Sequence, residues 1–412
     1  MKSLIFTFIL VLATQIVNAG RIDVKQGGAI RTISDAIAKA DIGDTIYVHG
    51  GVYREGNIIL QKSVSLVGLD WPVLDGEGKY EILTVHANNV SVTGFFFRDT
   101  GVASINDLAA VKVLDSKNVR IKRNRFENTF FGIYFSNSAD SFVEGNQLSA
   151  SAIAEHQIGN GIHMWTCRRI SISNNHIKGH RDGIYFEFVT DATIRGNVSE
   201  SNLRYGLHFM FSHDNEYHQN TFLKNGAGVA VMYTKGVIMT GNKFFDNRGP
   251  ASYGLLLKDI RDSEVRDNFF ADNSIGIFME GSSRIIFSGN VFRGNGYGIR
   301  LQASCDGNTF RGNNFLSNTF DIATNGSLVL NSIDDNYWDR YEGYDLNRDG
   351  VGDVPFRPVS MYAMVVERVP AAVLLWRSFL VTLLDRAEKA IPAITPENLK
   401  DDKPRMNPYD LD

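Results

Sequence analysis

The sequence predicts an all-β protein, a right-handed parallel β-helix solenoid with an N-terminal cap helix and a C-terminal amphipathic helix. Three regularities predict it. An asparagine recurs at Asn124, Asn146, Asn175, Asn197, Asn220, Asn242, Asn268, Asn290, Asn313 and Asn336, at spacings of 22, 29, 22, 23, 22, 26, 22, 23 and 23 residues. Two residues later stands an apolar side chain (Phe126, Leu148, Ile177, Phe222, Phe244, Phe270, Phe292, Phe315, Trp338), with Ser199 the exception. A glycine opens an alternating run in each repeat, as in Gly161-Ile162-His163-Met164-Trp165 and Gly206-Leu207-His208-Phe209-Met210. A period of 22 to 23 residues with two or three short strands per repeat is the signature of a parallel β-helix. Asparagines at equivalent turns can hydrogen-bond in a ladder, as in other stacked β structures. A leucine-rich repeat would need its own Leu spacing, which is absent.

The elements follow in chain order. Residues 1–19 read as a secretory signal: Lys2, the apolar run Leu4 to Ala13, and small residues before Ala19. The run is too short to span a bilayer. Residues 20–82 read as the N-terminal cap and first strands, with Thr32 as N-cap of a short helix whose Ile33, Ala36 and Ile37 share one face. Residues 83–340 carry the repeats, and the two long spacings place loops at Ala150 to Ile158 and Arg248 to Tyr253. Residues 341–362 form an Asp-rich end loop. In it Asp345, Asn347, Asp349 and Gly350 match the first half of a calcium loop, and Asp353 fits its ninth position. Phe356 stands where the bidentate Glu belongs, so a structural Ca²⁺ competes with an Asx-rich turn. Residues 363–391 hold a helix from Pro370 to Ala390, with Val373, Trp376, Leu380, Leu383 and Ala387 at helical spacing. It either caps the last rung or docks on a partner. The tail, 392–412, has four prolines and many charges and is expected to be loose.

Composition bounds the function. The net charge of −4 and pI near 6.2 leave no basic footprint, which argues against a nucleic-acid partner. The 38 glycines and 27 phenylalanines suit tight turns around a stacked aromatic interior. The only cysteines, Cys167 and Cys305, lie six rungs apart, roughly 29 Å at ~4.8 Å per rung. A disulfide needs Cα atoms within about 7 Å, so they are expected to be free.

Strand alternation assigns faces. Ile162, Ile184, Leu207 and Val229 point inward, as do Met164 and Met279. Two columns point outward. The first runs Lys112, Tyr134, His163, Tyr185, His208, Ala230. The second runs Leu114, Ser136, Trp165, Glu187, Met210, Met232, Lys258, Glu280. Met210 and Met232 thus fall on adjacent rungs, with His208 on the same face, His163 two rungs back and His213 at the strand's edge. Thioether and imidazole together suit copper, above all Cu(I), because sulfur is soft. The competing reading is a covered face on which Met and aromatic side chains simply pack. His176, His180 and His218 fall at turns and are expected to be solvated.

The blocks Gly159-Asn160-Gly161-Ile162-His163, His180-Arg181-Asp182-Gly183-Ile184-Tyr185 and Leu203-Arg204-Tyr205-Gly206-Leu207-His208-Phe209-Met210-Phe211-Ser212-His213, with the Asp-rich stretch from Asn336 to Asp353, resemble the NosD family. The resemblance covers essentially the whole mature chain. It implies an exported periplasmic protein, regarded as copper-binding, that works with the membrane permease and cytoplasmic ATPase of an ABC transporter. Such proteins help to assemble the copper-sulfide centre of nitrous oxide reductase, which places the reductase and a copper donor lipoprotein among the partners. It also favours docking of the final helix on the permease. The resemblance does not fix the ligands. His163, His208, Met210, Met232 and His213 are copper candidates from the columns alone, with no catalytic role expected.

Two other functions compete. Many β-helices act on acidic polysaccharide, but Glu187 and Glu280 lie four rungs apart, roughly 19 Å, too far for paired acid–base work. Arg181 and Arg204 sit on adjacent rungs and could bind an anion, and the Asp-Pro-His motif of alginate epimerases is absent. A third function is a scaffold between transporter and reductase, with the His/Met face as protein interface.

Overall fold

The computed structural model describes residues 20–103, 106–151, 154–326, 330–376, 378–390 and 399–410. The signal segment lies outside them. The chain coils into three parallel sheets of 14, 12 and 13 strands, and successive coils add one strand to each. The coils begin before Leu83: Arg21–Val24 pairs with Thr45–Val48, which pairs with Ser65–Gly68. Helix α1 (Ile33–Lys39) covers this open end with Ile33, Ala36 and Ile37 buried. Thr32 caps it by accepting the Asp35 N–H.

The expected asparagine ladder forms. Asn197 donates both its backbone N–H and its Nδ2 to Asn220 Oδ1, each at 2.9 Å, and Asn220 does the same to Asn242 at 3.0 Å. Each amide also donates to a strand carbonyl, as Asn220 Nδ2 does to Ile194 O at 2.9 Å. Buried polar groups are thus partnered rather than orphaned. A second ladder, Asn202–Asn225–Asn247–Asn273–Asn295–Asn318, runs beside it. Inside, Phe222, Phe244, Phe270, Phe292, Phe315 and Trp338 stack ring on ring at 4.2 to 5.4 Å. Both cysteines are buried and free, as the rung count requires.

The C-terminal end differs from expectation in two ways. The helix read over Pro370 to Ala390 is broken into a 3₁₀ turn, Pro370–Leu375, and helix α3 (Phe379–Ala390). Another helix, α2 (Met361–Arg368), precedes them. Tyr362, Ala363 and Val366 of α2 pack on Phe320 and Ala323 of the last strand of the 12-stranded sheet. Arg300 Nη2 anchors it through Glu367 Oε2 at 2.8 Å. The second correction concerns the tail. Residues 399–410 are not loose but lie across the last coil. Asp401, fully buried, accepts the Asn336 N–H at 2.9 Å and Asn336 Nδ2 at 3.2 Å, as the next asparagine of the ladder would. It also accepts Trp338 Nε1 at 2.9 Å. The tail thereby supplies the ladder partner that the last coil lacks. Charge and proline content could not predict this, because the stabilising contact is to a residue 65 positions away.

The Asp-rich loop joins this cap. Val351 bridges Arg405, and Asp401 bridges Phe356. Asp345 accepts the N–H groups of Asp349 and Gly350, Asp349 that of Val351, and Asp353 that of Leu346. The loop is therefore closed by its own backbone, as Asx-rich turns are.

Candidate metal centre

The outward face of the 12-stranded sheet has the register that strand alternation requires. Tyr134, His163, Tyr185, His208 and Ala230 are successive partners, and so are Ser136, Trp165, Glu187, Met210, Met232 and Lys258. The two columns nevertheless live in different environments. In the first, His163 is only 9% exposed and His208 only 4%. Residues standing just before the repeat glycines cover it: Phe131 meets the His163 ring edge-on at 5.3 Å, and Tyr205 lies 4.7 Å from the His208 ring. The rings of Tyr134, His163 and Tyr185 stack at 4.6 and 4.8 Å. The second column reaches solvent, with Trp165 exposed and Glu187, Met210 and Met232 half-buried.

Each candidate side chain has its own neighbours. Tyr185 Oη donates to Glu187 Oε2 at 3.1 Å and lies 3.7 Å from Met210 Sδ, which places a thioether and a carboxylate around one phenol. Burial, and then Glu187, push the Tyr185 phenol upward, so it stays protonated. His163 Nδ1 accepts from Asn160 Nδ2 at 2.9 Å. Burial, then the Arg181 charge, hold this imidazole down to about 3, so it is neutral with its proton on Nε2. His208 Nδ1 lies 3.5 Å from Oδ2 of the fully buried Asp182. Asp182 Oδ1 accepts the Tyr205 N–H at 3.3 Å and lies 3.7 Å from Arg204 Nε. Neither ring nitrogen of His208 has a hydrogen-bond partner, nor has Asp182 Oδ2. His213 Nδ1 faces Thr234 Oγ1 at 3.4 Å in the turn beyond the strand. The structure thus brings Met210, Met232 and His208 to one patch, keeps His163 behind Tyr185, and turns His213 along the neighbouring corner.

The turn histidines divide. His176 and His218 pair with Glu200 and Glu216 near the surface, each at 3.0 Å. His180, expected to be solvated, is fully buried without a partner on either nitrogen, and burial holds it down to about 4. Asn160, His180 and Asp182 were not recognised as members of this cluster. Their one sequence signal is position, since Asn160 and Asp182 each stand immediately before a repeat glycine, as Phe131 and Tyr205 do.

Three neighbouring coils carry a further departure. Phe188, Phe211 and Tyr233 occupy left-handed backbone, with φ of 56°, 50° and 54°. They stack on one another at 5.5 and 5.1 Å, are 38 to 48% exposed, and directly follow Glu187, Met210 and Met232. Towards the N-terminus the same face opens into a cavity of about 430 Å³ lined by Asn57, Glu81, Lys112, Tyr134, Ser136 and Trp165, where Glu81 is tied to Lys112.

Among the described residues no group of three or more His, Cys, Asp or Glu side chains is placed to hold a metal ion. A metal on this face would therefore draw on thioether sulfur. Two half-buried thioethers beside an imidazole with unpartnered nitrogens fit a soft monovalent cation.

Known proteins agree with parts of this picture. A family model described as periplasmic copper-binding protein (NosD) matches residues 146–347. A protein of Stutzerimonas stutzeri named probable ABC transporter binding protein NosD is 27% identical over 372 residues, spanning 85% of this chain and 84% of that one. Its namesake from Pseudomonas aeruginosa is 27% identical over 371 residues, spanning 85% and 86%. Among solved structures, the Streptococcus pneumoniae adhesin PfbA superposes with a TM-score of 0.61 at 15% identity, over 74% of this chain and 93% of that one. The A-module of the Azotobacter vinelandii mannuronan C-5 epimerase AlgE4 gives 0.53 at 16%, over 73% and 88%. These structural likenesses concern the fold alone.

Proposed function

The chain belongs to the NosD family of periplasmic copper-binding proteins, and on that premise we propose that it is a copper-handling accessory protein of an ABC transporter, serving assembly of the copper-sulfide centre of nitrous oxide reductase. The observation that carries the copper reading is the register pairing of Met210 with Met232, both half-buried, beside His208. Copper is cargo here, held as Cu(I) by Met210, Met232 and His208. His163 and His213, occupied by Asn160 and Thr234, stand outside that set. The chain performs no catalysis of its own in this reading. In register Glu187 and Glu280 are separated by Met210, Met232 and Lys258, which favours a binding face over paired carboxylate chemistry.

Export by the signal segment and docking to the inner membrane through the permease complete the proposal, with the cytoplasmic ATPase, the reductase and a copper donor lipoprotein as further partners. The docking element is the C-terminal helical segment. No described helix is long and apolar enough to cross a membrane, yet Leu374, Phe379, Leu380 and Leu383 are left exposed. A surface of this kind suits a partner's groove.

The test is a titration of Cu(I), Zn²⁺ and Ca²⁺ into the mature protein and into a His208→Ala/Met210→Ala variant. Cu(I) is expected to bind the wild type and to bind the variant at least tenfold more weakly. Unchanged affinity in the variant would sink the site. No Cu(I) binding by the wild type would favour the scaffold, and turnover of uronate polymers would revive the enzyme. Ca²⁺ at Asp345, Asn347, Asp349 and Asp353 rests on spacing, and a melting temperature indifferent to Ca²⁺ leaves that loop a self-closed turn.

A further inference from the structure

Asp182 is a costly residue where it stands. It is fully buried, its Oδ2 has no hydrogen-bond partner, and it faces a histidine that has none either. Leaving a buried polar group unpaired is destabilising, and more so for a charge. Three such atoms, Asp182 Oδ2 and both nitrogens of His208, belong to one facing pair of side chains. The same outward column, earlier in the stack, offers a comparison within the molecule. Asn160 stands before Gly161 as Asp182 stands before Gly183, and it too faces an imidazole Nδ1, that of His163.

The two pairs differ in reach, 2.9 Å between residues three apart and 3.5 Å between successive coils, and in the atom offered to Nδ1, which sets the tautomer. Asn160 presents Nδ2, a donor, so His163 Nδ1 must accept and the ring proton sits on Nε2. That nitrogen then has no lone pair to give. Asp182 presents Oδ2, an acceptor only, so Nδ1 of His208 must carry the proton and Nε2 keeps its lone pair. A histidine that binds a metal commonly donates its other N–H to a carboxylate in this way.

We infer that Asp182 is the positioning residue of the copper site, holding His208 as the Nδ1–H tautomer so that Nε2 is free for Cu(I), while Asn160 holds His163 in the opposite tautomer and closes it to the metal. The inference rests on the copper reading above and says which imidazole serves it. Asp182 itself does not touch the metal. Its distance to Nδ1 is 3.5 Å, and this contact is expected to tighten to an ordinary hydrogen bond if Nε2 is ligated.

The experiment uses the full mature protein labelled with ¹⁵N-histidine, whose ring ¹⁵N shifts distinguish the two neutral tautomers at pH 7.5. His208 signals are assigned by their loss in His208→Gln. In the apo wild type His208 is expected to be Nδ1–H and His163 Nε2–H. In Asp182→Asn, the carbonyl oxygen keeps the Tyr205 N–H and the amide nitrogen turns to His208. That ring should convert to Nε2–H, and Cu(I) affinity should fall about 10- to 100-fold. Asn160→Asp is the mirror variant and should convert His163 to Nδ1–H. Finding His208 as Nε2–H in the wild type overturns the inference even if copper binds. So does an Asp182→Asn protein that keeps full affinity while His208→Gln loses it, which leaves the copper reading standing. If His208→Gln also keeps full affinity, both fall. If Asp182→Asn fails to fold, the wild-type tautomer and the Asn160→Asp variant still decide.

Discussion

At the scale of single residues, the cluster behind the methionines shows how burial changes what a side chain can do. His180 and His163 are both held well below the ordinary imidazole range, His180 to about 4 and His163 to about 3, in each case chiefly by burial. An unfolded histidine takes up a proton near pH 6.5, whereas these two in the fold do not. The unfolded chain therefore binds more protons between about pH 6.5 and pH 4, and stability falls as pH drops through that window. Above pH 7 neither form is charged and the linkage vanishes. Replacing His180 with Phe, which needs no hydrogen bonds, is expected to flatten the pH dependence of urea unfolding between pH 4 and 6.5. An unaltered slope would show that His180 is not a source of it. Both histidines lie in a pattern legible from the sequence, yet their protonation was not, because it depends on what covers them.

At the scale of elements, each strand is two to six residues and is stable only as a member of the stack. The aromatic ladder beside the candidate metal patch departs from the pattern of the other turns. Position 188 and its equivalents are occupied elsewhere by Asp115, Asn137, Thr166 and Asp259, all but Thr166 residue types that favour left-handed backbone. Phe188, Phe211 and Tyr233 adopt it at a cost of about 1–2 kcal/mol each and expose their rings as well. Left-handed residues recur at turns along the solenoid, Arg123, Gln219 and Lys224 among them, so what sets this ladder apart is its row of exposed stacked rings. Phe211→Asn is therefore expected to leave thermal stability unchanged or to raise it by up to about 1 kcal/mol. A loss of more than about 1 kcal/mol in denaturant unfolding would show that the stacked rings are structural. His163, His208 and the two outward methionines were placed by periodicity alone, but this ladder was not. Turn positions carry no alternation that would flag an aromatic ring as exposed.

At the scale of the molecule, a solenoid must close its ends, since open coils present unpaired strand edges and bare core. Helix α1 closes one end. The other is closed in two parts, α2 on the 12-stranded sheet and the tail on the other two sheets, where Asp401 bridges Ile333 and Arg405 bridges Tyr337. Capping, which competed with docking for a single helix in the sequence, thus falls to α2 and the tail, and leaves the exposed side of α3 for the proposed docking. Asp401→Ala removes the acceptor for Asn336 and Trp338 and is expected to cost about 3 kcal/mol. Leu380→Asp with Leu383→Asp, on the exposed side of α3, should leave the melting temperature unchanged and abolish co-purification with the permease. Equal melting of Asp401→Ala and wild type would remove the tail from the cap. Normal permease binding by the double variant would remove α3 from the interface.

The sequence by itself determined the coil, its period, the asparagine ladder, the stacked core and the face on which each strand residue lies. These follow from a repeat of 22 to 23 residues and a strand period of two, both local and both written many times over. The tertiary structure decided which outward residues reach solvent, which imidazole faces a carboxylate and which an amide, and what closes the last coil. Those outcomes depend on single contacts, such as Asp182 with His208 and Asp401 with Asn336, that join residues 26 and 65 positions apart and occur only once. Repetition makes a fold readable from its sequence, whereas a site is a departure from the repeat.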